Sequence, residues 1–315
     1  MSSIFAVTFP FFTLVLLGWL AARRGLLPDS AIPGLNAFVL FVALPCLLFR
    51  FGASMPFAQL IDPWLLAIYA VGALVVTGLV VAATWRQVGR RDAAFGALVA
   101  AFPNTGFMGV PLLVALVGPQ AAGPVITTVL LDLVLTSSLC IAIAESHAGH
   151  ADGPSPLARA LRGVLMNPLP WAIGLGAAKA ASGVELPGPV DQVVRMLADA
   201  ASPVALFTIG AVLWRAGQHA HTRTPVGRYL PIALVKLFVH PMLILGLGLA
   251  ATAAGADVPP EGLVVLVLAA ALPSASNVSM LAERHGADNG RVARIILAST
   301  VLSFLTFAGF ATLLH

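Results

Sequence analysis

Two segments of the sequence set a proline beside hydrogen-bonding side chains in the middle of a long apolar run. Phe102-Pro103-Asn104-Thr105-Gly106 is the first, and Leu272-Pro273-Ser274-Ala275-Ser276-Asn277 is the second. A proline inside a helix removes one N–H and displaces the carbonyl four residues back, and Gly106 and Gly109 loosen the first run further. In hydrocarbon the freed groups would be costly, so such a break is tolerated where it is buried in protein or lines a water-filled cavity. The chemistry on offer is anion recognition. The N–H groups that open the helix after each break carry partial positive charge, which suits a carboxylate. Asn104, Thr105, Ser274, Ser276 and Asn277 could add directional hydrogen bonds. The competing reading is a pair of proline kinks whose Ser, Thr and Asn side chains bond to their own backbone. A match at two places weighs against it.

Charges at membrane depth are the second chemical signal, because an ionised side chain costs several kcal/mol there unless paired. Asp132 lies inside one apolar run, and Lys236 and His240 lie four residues apart in another. One reading has Lys236 attract an anion while Asp132 or His240 carries a coupling proton, since His titrates near neutrality. The other is a structural Asp132–Lys236 pair or a snorkelling lysine. Asp199, four residues after Arg195, is expected to pair with it locally.

Little else in the chain suggests chemistry. Cys46 and Cys140 sit in apolar runs without metal or redox spacing, and the pairs His147/His150 and His219/His221 have no acidic or cysteine companions. No metal site or cofactor is expected. No Gly-x-Ser-x-Gly elbow, His-Glu-x-x-His zinc motif or phosphate loop occurs, and Asp132 and Asp199 lack the glycine context of an intramembrane aspartyl protease. An enzyme is therefore not expected. A channel would need a pore lined by rings of carbonyls or charges, and a receptor would need an output domain.

The elements that position these residues follow from composition. Of 315 residues 59% are hydrophobic and only 10% charged, and mean hydropathy is +0.96; soluble domains carry about a quarter charged residues. The net charge of +4 comes from scattered arginines and includes no basic, aromatic-interleaved patch for nucleic acid. A bilayer core about 30 Å thick needs roughly 20 apolar helical residues. Ten runs qualify: 3–22, 31–50, 63–85, 93–117, 120–144, 164–182, 191–214, 229–253, 261–284 and 291–314. The first lacks a basic leader and ends in Arg23-Arg24, so it reads as a helix and not a signal peptide.

Lys and Arg are retained on the cytoplasmic side. With the N-terminus outside, that side collects Arg23, Arg24, Arg86, Arg90, Arg91, Arg159, Arg162, Arg215, Arg223, Arg228, Arg284, Arg291 and Arg294, against Arg50, Lys179 and Arg195 opposite. Both termini are thus expected to be extracytoplasmic in the inner (plasma) membrane. Five spans per half invert the second half, as in many secondary transporters. The second span carries Leu44-Pro45-Cys46-Leu47-Leu48-Phe49 and the seventh Ser202-Pro203-Val204-Ala205-Leu206-Phe207. The fourth and ninth carry the two breaks. The expected fold is an all-α integral membrane protein: a five-helix repeat over 1–144, a cytoplasmic linker over 145–163 and an inverted repeat over 164–315.

Phe102-Pro103-Asn104-Thr105-Gly106-Phe107-Met108-Gly109-Val110-Pro111-Leu112 resembles the helix 4 signature of the auxin efflux carrier family, which includes plant PIN proteins and bacterial permeases. Val235-Lys236-Leu237-Phe238-Val239-His240-Pro241 and Ala271-Leu272-Pro273, followed by Ala282-Glu283-Arg284-His285-Gly286, are similar to its helix 8 and 9 patterns. The resemblance implies a scaffold of helices 1, 2, 6 and 7 and a transport unit of helices 3, 4, 5, 8, 9 and 10. It also implies broken helices 4 and 9 crossing at mid-membrane, where the substrate carboxylate sits in an elevator-type cycle. The long cytoplasmic loop of the plant carriers is missing, so their loop-based regulation is not implied.

The expected function is secondary transport of small organic anions, auxin-like or other carboxylates, with a malate- or malonate-type dicarboxylate permease as the alternative. Expected partners are the lipid bilayer and the anion; a homodimer is compatible with the sequence, which leaves oligomeric state open. Expected substrate contacts are Pro103, Asn104, Thr105, Gly106, Pro273, Ser274, Ser276 and Asn277, with charge or proton coupling through Asp132, Lys236 and His240. The topology is testable: an epitope tag at either terminus should be reachable from outside intact cells, and one between Gln218 and Thr224 should not. A protected N-terminus would overturn both the span count and the inversion.

Overall fold

The computed structural model describes residues 2–54, 62–146, 165–219 and 224–314. Those residues form an all-helical protein. Its helices are α1 (Ser2–Arg23), α2 (Ala31–Ala53), α3 (Pro63–Val88), α4 (Arg90–Ala101), α5 (Thr105–Val117), α6 (Pro119–Glu145), α7 (Pro168–Ser182), α8 (Gly188–His219), α9 (Leu230–Ala253), α10 (Pro260–Ala271), α11 (Asn277–Arg284) and α12 (Asn289–Leu314). The expected linker lies outside the described residues beyond Ser146, as do His147, His150 and His221.

Among the described residues six helices are long and apolar enough to cross a membrane: α2, α3, α6, the Gly188–Arg215 part of α8, α9 and α12. Shorter apolar helices are Phe9–Arg23, Thr105–Val117 and Pro260–Ala271. The last two owe their shortness to a physical cause. The residue before a proline is pushed out of the helical region, and Phe102 before Pro103 and Leu272 before Pro273 are both extended. Each apolar run is thereby cut after 12 helical residues, about 18 Å from its start and so near the centre of a bilayer core.

Prolines shape the unbroken helices as well. The ring of a helical proline clashes with the carbonyl four residues back, which a wider π-turn relieves. Such turns occupy Val39–Ala43, Thr105–Gly109 and Val235–Val239, just ahead of Pro45, Pro111 and Pro241. A further π-turn, Asp132–Thr136, has no proline behind it; there the Ser137 hydroxyl donates to the Asp132 carbonyl oxygen at 2.8 Å.

Two groups of helices pack in different ways. In the first, α1 lies along α8 and α2 along α7, at distances that only glycine permits. A Cβ on Gly18 would stand 1.8 Å from the Phe207 carbonyl oxygen, and one on Gly210 would stand 1.9 Å from that of Val15. Gly52 and Gly176 meet the Ile173 and Phe49 carbonyl oxygens at 2.6 and 2.3 Å in the same sense. Small residues let helix backbones approach in lipid, where dispersion replaces the hydrophobic drive. Edge-on Trp19 and Trp214, 5.4 Å apart, close the arginine-rich end of the α1–α8 seam.

This first group also carries the pair between Arg50 and Asp199 at 2.8 Å, which ties α2 to α8. The expected Arg195–Asp199 pair is not formed. Arg195 binds Asp191 at 2.7 Å instead, because Asp199 is drawn across to a neighbouring helix by a cation that sequence spacing could not reveal.

The second group gathers α3 to α6 and α9 to α12. Its polar lock is Arg291, buried at the start of α12, which donates to the carbonyl oxygens of Arg228 and Asp92. The Asp92 carboxylate accepts from the Asp288 amide at 2.8 Å. Each of these polar contacts stays inside one group. Between groups, apolar contacts such as Phe12 against Phe304, 5.0 Å apart, are the kind that can slide.

Gly210→Ala should force α1 and α8 apart and destabilise the protein by about 1–3 kcal/mol or more, read as a lowered melting temperature in detergent. Gly174→Ala, where a Cβ meets nothing within 4 Å, should be neutral or slightly stabilising. Equal melting temperatures would contradict the close approach.

Candidate functional site

The two chain breaks meet. Pro103 and Ser274 face each other in an antiparallel bridge, made by the Asn104 amide donating to the Pro273 carbonyl oxygen at 2.8 Å and the Ala275 amide donating to that of Phe102 at 3.0 Å. Both bonds come from neighbours of the facing pair, so Pro103, which has no N–H, stands where no donor is needed. The bridge satisfies backbone groups that would otherwise be orphaned at depth. It also brings Pro103, Asn104, Thr105, Pro273, Ser274 and Ser276 together; all are buried, and Gly106 and Asn277 are half-buried beside them.

The polar residues at this crossing divide into two kinds. Ser274 is structural: its hydroxyl donates to the Val99 carbonyl oxygen at 2.6 Å, and its amide donates to the Ser299 hydroxyl at 3.1 Å. Thr105 turns back locally, its amide donating to the Pro103 carbonyl oxygen at 2.8 Å. Asn104 and Asn277 are different. Each has a buried side-chain oxygen with no hydrogen-bond partner, an arrangement that costs about 1–3 kcal/mol if left unmet. They sit at the entrances of α5 and α11, where the helix field favours an anion. A half-turn of the terminal amide presents its NH2 donors in place of the oxygen. Chemically, amide donors beside helix entrances suit a small anionic group.

The buried charges form a second cluster beside it. Asp132 is fully buried; its carboxylate accepts from the Tyr69 hydroxyl at 2.9 Å and from Thr136 at 3.2 Å. Lys236, also fully buried, donates its ammonium to the Ala270 carbonyl oxygen, one of the last carbonyls of α10, where a cation complements the helix end. Asp132 and Lys236, weighed as a pair from sequence, thus take separate hydrogen-bond partners. His240 is fully buried with neither ring nitrogen hydrogen-bonded, and its ring lies 5.8 Å from that of Tyr69.

Sequence reasoning passed over Tyr69 and Ser299. A phenol inside an apolar span usually finds a polar partner, so Tyr69 carried a usable signal. Ser299 carried none, being one hydroxyl among several on α12.

A family model described as "Membrane transport protein" matches residues 3–311. Over 322 residues the chain is 29% identical to a Rhizobium meliloti protein named "Putative malonate transporter", covering 100% of this chain and 97% of that one. It is 26% identical over 305 residues to "Uncharacterized transporter YfdV" of Escherichia coli K12, covering 95% and 93%. An "Uncharacterized transporter" of Methanothermobacter thermautotrophicus is 26% identical over 302 residues, covering 93% and 92%.

Tyr69→Phe should leave a buried oxygen of Asp132 unpartnered and cost about 1–3 kcal/mol of stability. Thr136→Val, at the longer bond, should cost less. Thermal unfolding of the purified variants measures both, and a silent Tyr69→Phe would remove the phenol from the cluster.

Proposed function

The chain belongs to the membrane transport protein family, that of the auxin efflux carriers, and we propose that it moves small carboxylates by alternating access, binding them at the crossing of its two broken spans. It is a multi-pass membrane transporter and not an enzyme. The observation that carries the binding proposal is the pair of buried side-chain oxygens of Asn104 and Asn277, neither hydrogen-bonded, beside the Pro103–Ser274 bridge.

In this reading the protein has ten spans, the fourth being α4 with α5 and the ninth α10 with α11, arranged as two inverted repeats with both termini extracytoplasmic. Two features support it. The Gly18–Gly210 contact joins the first span to the seventh, and the Gly52–Gly176 contact joins the second to the sixth; inversion of a five-span repeat exchanges those two pairs. The breaks of α4 and α10 also come 12 residues after their helix starts in both halves. The scaffold is α1, α2, α7 and α8, and the remaining helices are the transport unit that moves against it like an elevator. Asp132, Lys236 and His240 belong to the moving unit, with Asp132 or His240 as the proton carrier.

A monocarboxylate suits the site best, because the ammonium of Lys236 is engaged by Ala270 and a second carboxylate would need a cation of its own. A malonate-type dicarboxylate is the second reading, favoured by the name of the Rhizobium meliloti relative. Uptake into proteoliposomes with a panel of mono- and dicarboxylates, indole-3-acetate included, separates the two.

Asn104→Ala removes a hydrogen bond to a charged group, worth about 1.5–3 kcal/mol, and should weaken substrate binding about tenfold or more. Asn104→Asp should be worse, since it sets a negative charge where the substrate's must sit. Asn36→Ala, in the scaffold, should change affinity much less. Unchanged affinity in folded Asn104 variants would move the site elsewhere.

A further inference from the structure

An open groove of about 590 Å³ runs between α3 and the end of α6, away from the crossing and its charges. From α3 it is lined by Leu74, Gly78, Val81 and Trp85, and from α6 by Leu139 and Ile143, with Arg90 at its mouth. The spacing on both helices is that of a single face. Gly78 opens the groove, since a Cβ there meets nothing within 4 Å. The volume falls within the roughly 300–1,000 Å³ of small-ligand clefts, yet apart from Arg90 and the hydroxyl residues Thr77 and Ser146 its walls are apolar, and none of the lining residues is acidic.

Length and charge identify the occupant. From Leu74 to Trp85 the helix rises about 16 Å, roughly half of a 30 Å hydrocarbon core and thus the depth of one leaflet. Trp85, partly exposed, marks the level of the headgroups, where tryptophan concentrates. Over its ring stack the guanidinium groups of Arg86 and Arg90, at 5.3 and 5.6 Å. Stacking sets both cations at one level. We infer that this groove is a binding site for one anionic phospholipid, its acyl chain between α3 and α6 and its phosphate on Arg86 and Arg90. A zwitterionic lipid fits the slot but gains less from the cations, each of which contributes about fivefold to the affinity for an anionic headgroup. The site depends on the membrane assignment alone and stands whatever the transported substrate is. Because α3 and α6 are helices of the moving unit in the elevator reading, the lipid would travel with it.

Trp85 supplies the reporter. Protein in phosphatidylcholine nanodiscs is titrated with phosphatidylglycerol or phosphatidylcholine brominated on the acyl chains, and the fluorescence that Trp85→Phe abolishes is followed. Brominated phosphatidylglycerol should quench it at markedly lower mole fraction than brominated phosphatidylcholine. Arg86→Gln with Arg90→Gln should erase that preference, and Gly78→Leu should weaken quenching by both lipids while the melting temperature holds. Equal quenching by the two lipids in the unaltered protein would overturn the inference, as would a preference that survives loss of both arginines. Competition by soluble glycerol phosphate as effective as the lipid would also overturn it, by assigning the cations to a free anion. Uptake is not the readout, so failure here leaves the transport reading untouched, and failure of that reading leaves this one.

Discussion

Two backbone hydrogen bonds at the crossing, Asn104 to Pro273 and Ala275 to Phe102, are the constraint around which the second helix group is arranged. A broken helix in hydrocarbon exposes donors and acceptors that water cannot reach, at several kcal/mol for each unmet group. Meeting another broken helix is an economical answer, since each supplies what the other lacks. The same demand explains the side chains nearby. Ser274 reaches the Val99 carbonyl at the end of α4, and Lys236 reaches the Ala270 carbonyl at the end of α10. Once these are spent, Asn104 and Asn277 are the polar groups at the crossing whose oxygens remain unmet.

Proline does related work at lower cost in the unbroken helices. Where it is followed by continued helix, as at Pro45, Pro111 and Pro241, the chain relaxes into a π-turn just upstream. Where the preceding residue turns extended, as at Phe102 and Leu272, the helix ends. The difference lies in what the freed groups can find. A partner strand waits at the crossing, whereas within a single span a slightly wider turn is the nearest remedy. Lys236 lies within one such turn, which offsets it from the regular helical register of its neighbours.

The two helix groups differ in how they hold together. One is fastened by glycine-mediated backbone contact and by Arg50 with Asp199; the other by the crossing, the Asp132 cluster and Arg291. Contacts between them such as Phe12 with Phe304 are apolar, and apolar surfaces can exchange partners without stranding a hydrogen bond.

Much of this was legible in the sequence, because bilayer thickness and proline geometry are local rules. Run length gave the all-helical, membrane-spanning character, six of the described helices being long enough to cross, and the proline after Phe102 and after Leu272 gave the breaks, with Asn104 and Asn277 beside them. The sequence likewise marked Asp132, Lys236 and His240 as buried charges in need of partners, but it could not say which partners. Asp199 was matched to Arg195, four residues away, and the fold gave it Arg50, 149 residues distant. Tyr69 bonds Asp132 across 63 positions and Ser274 bonds Val99 across 175. Periodicity reports which face of a helix a side chain occupies; which neighbour that face meets is decided only when the helices pack, because a hydrogen bond depends on distance in space and not on separation along the chain.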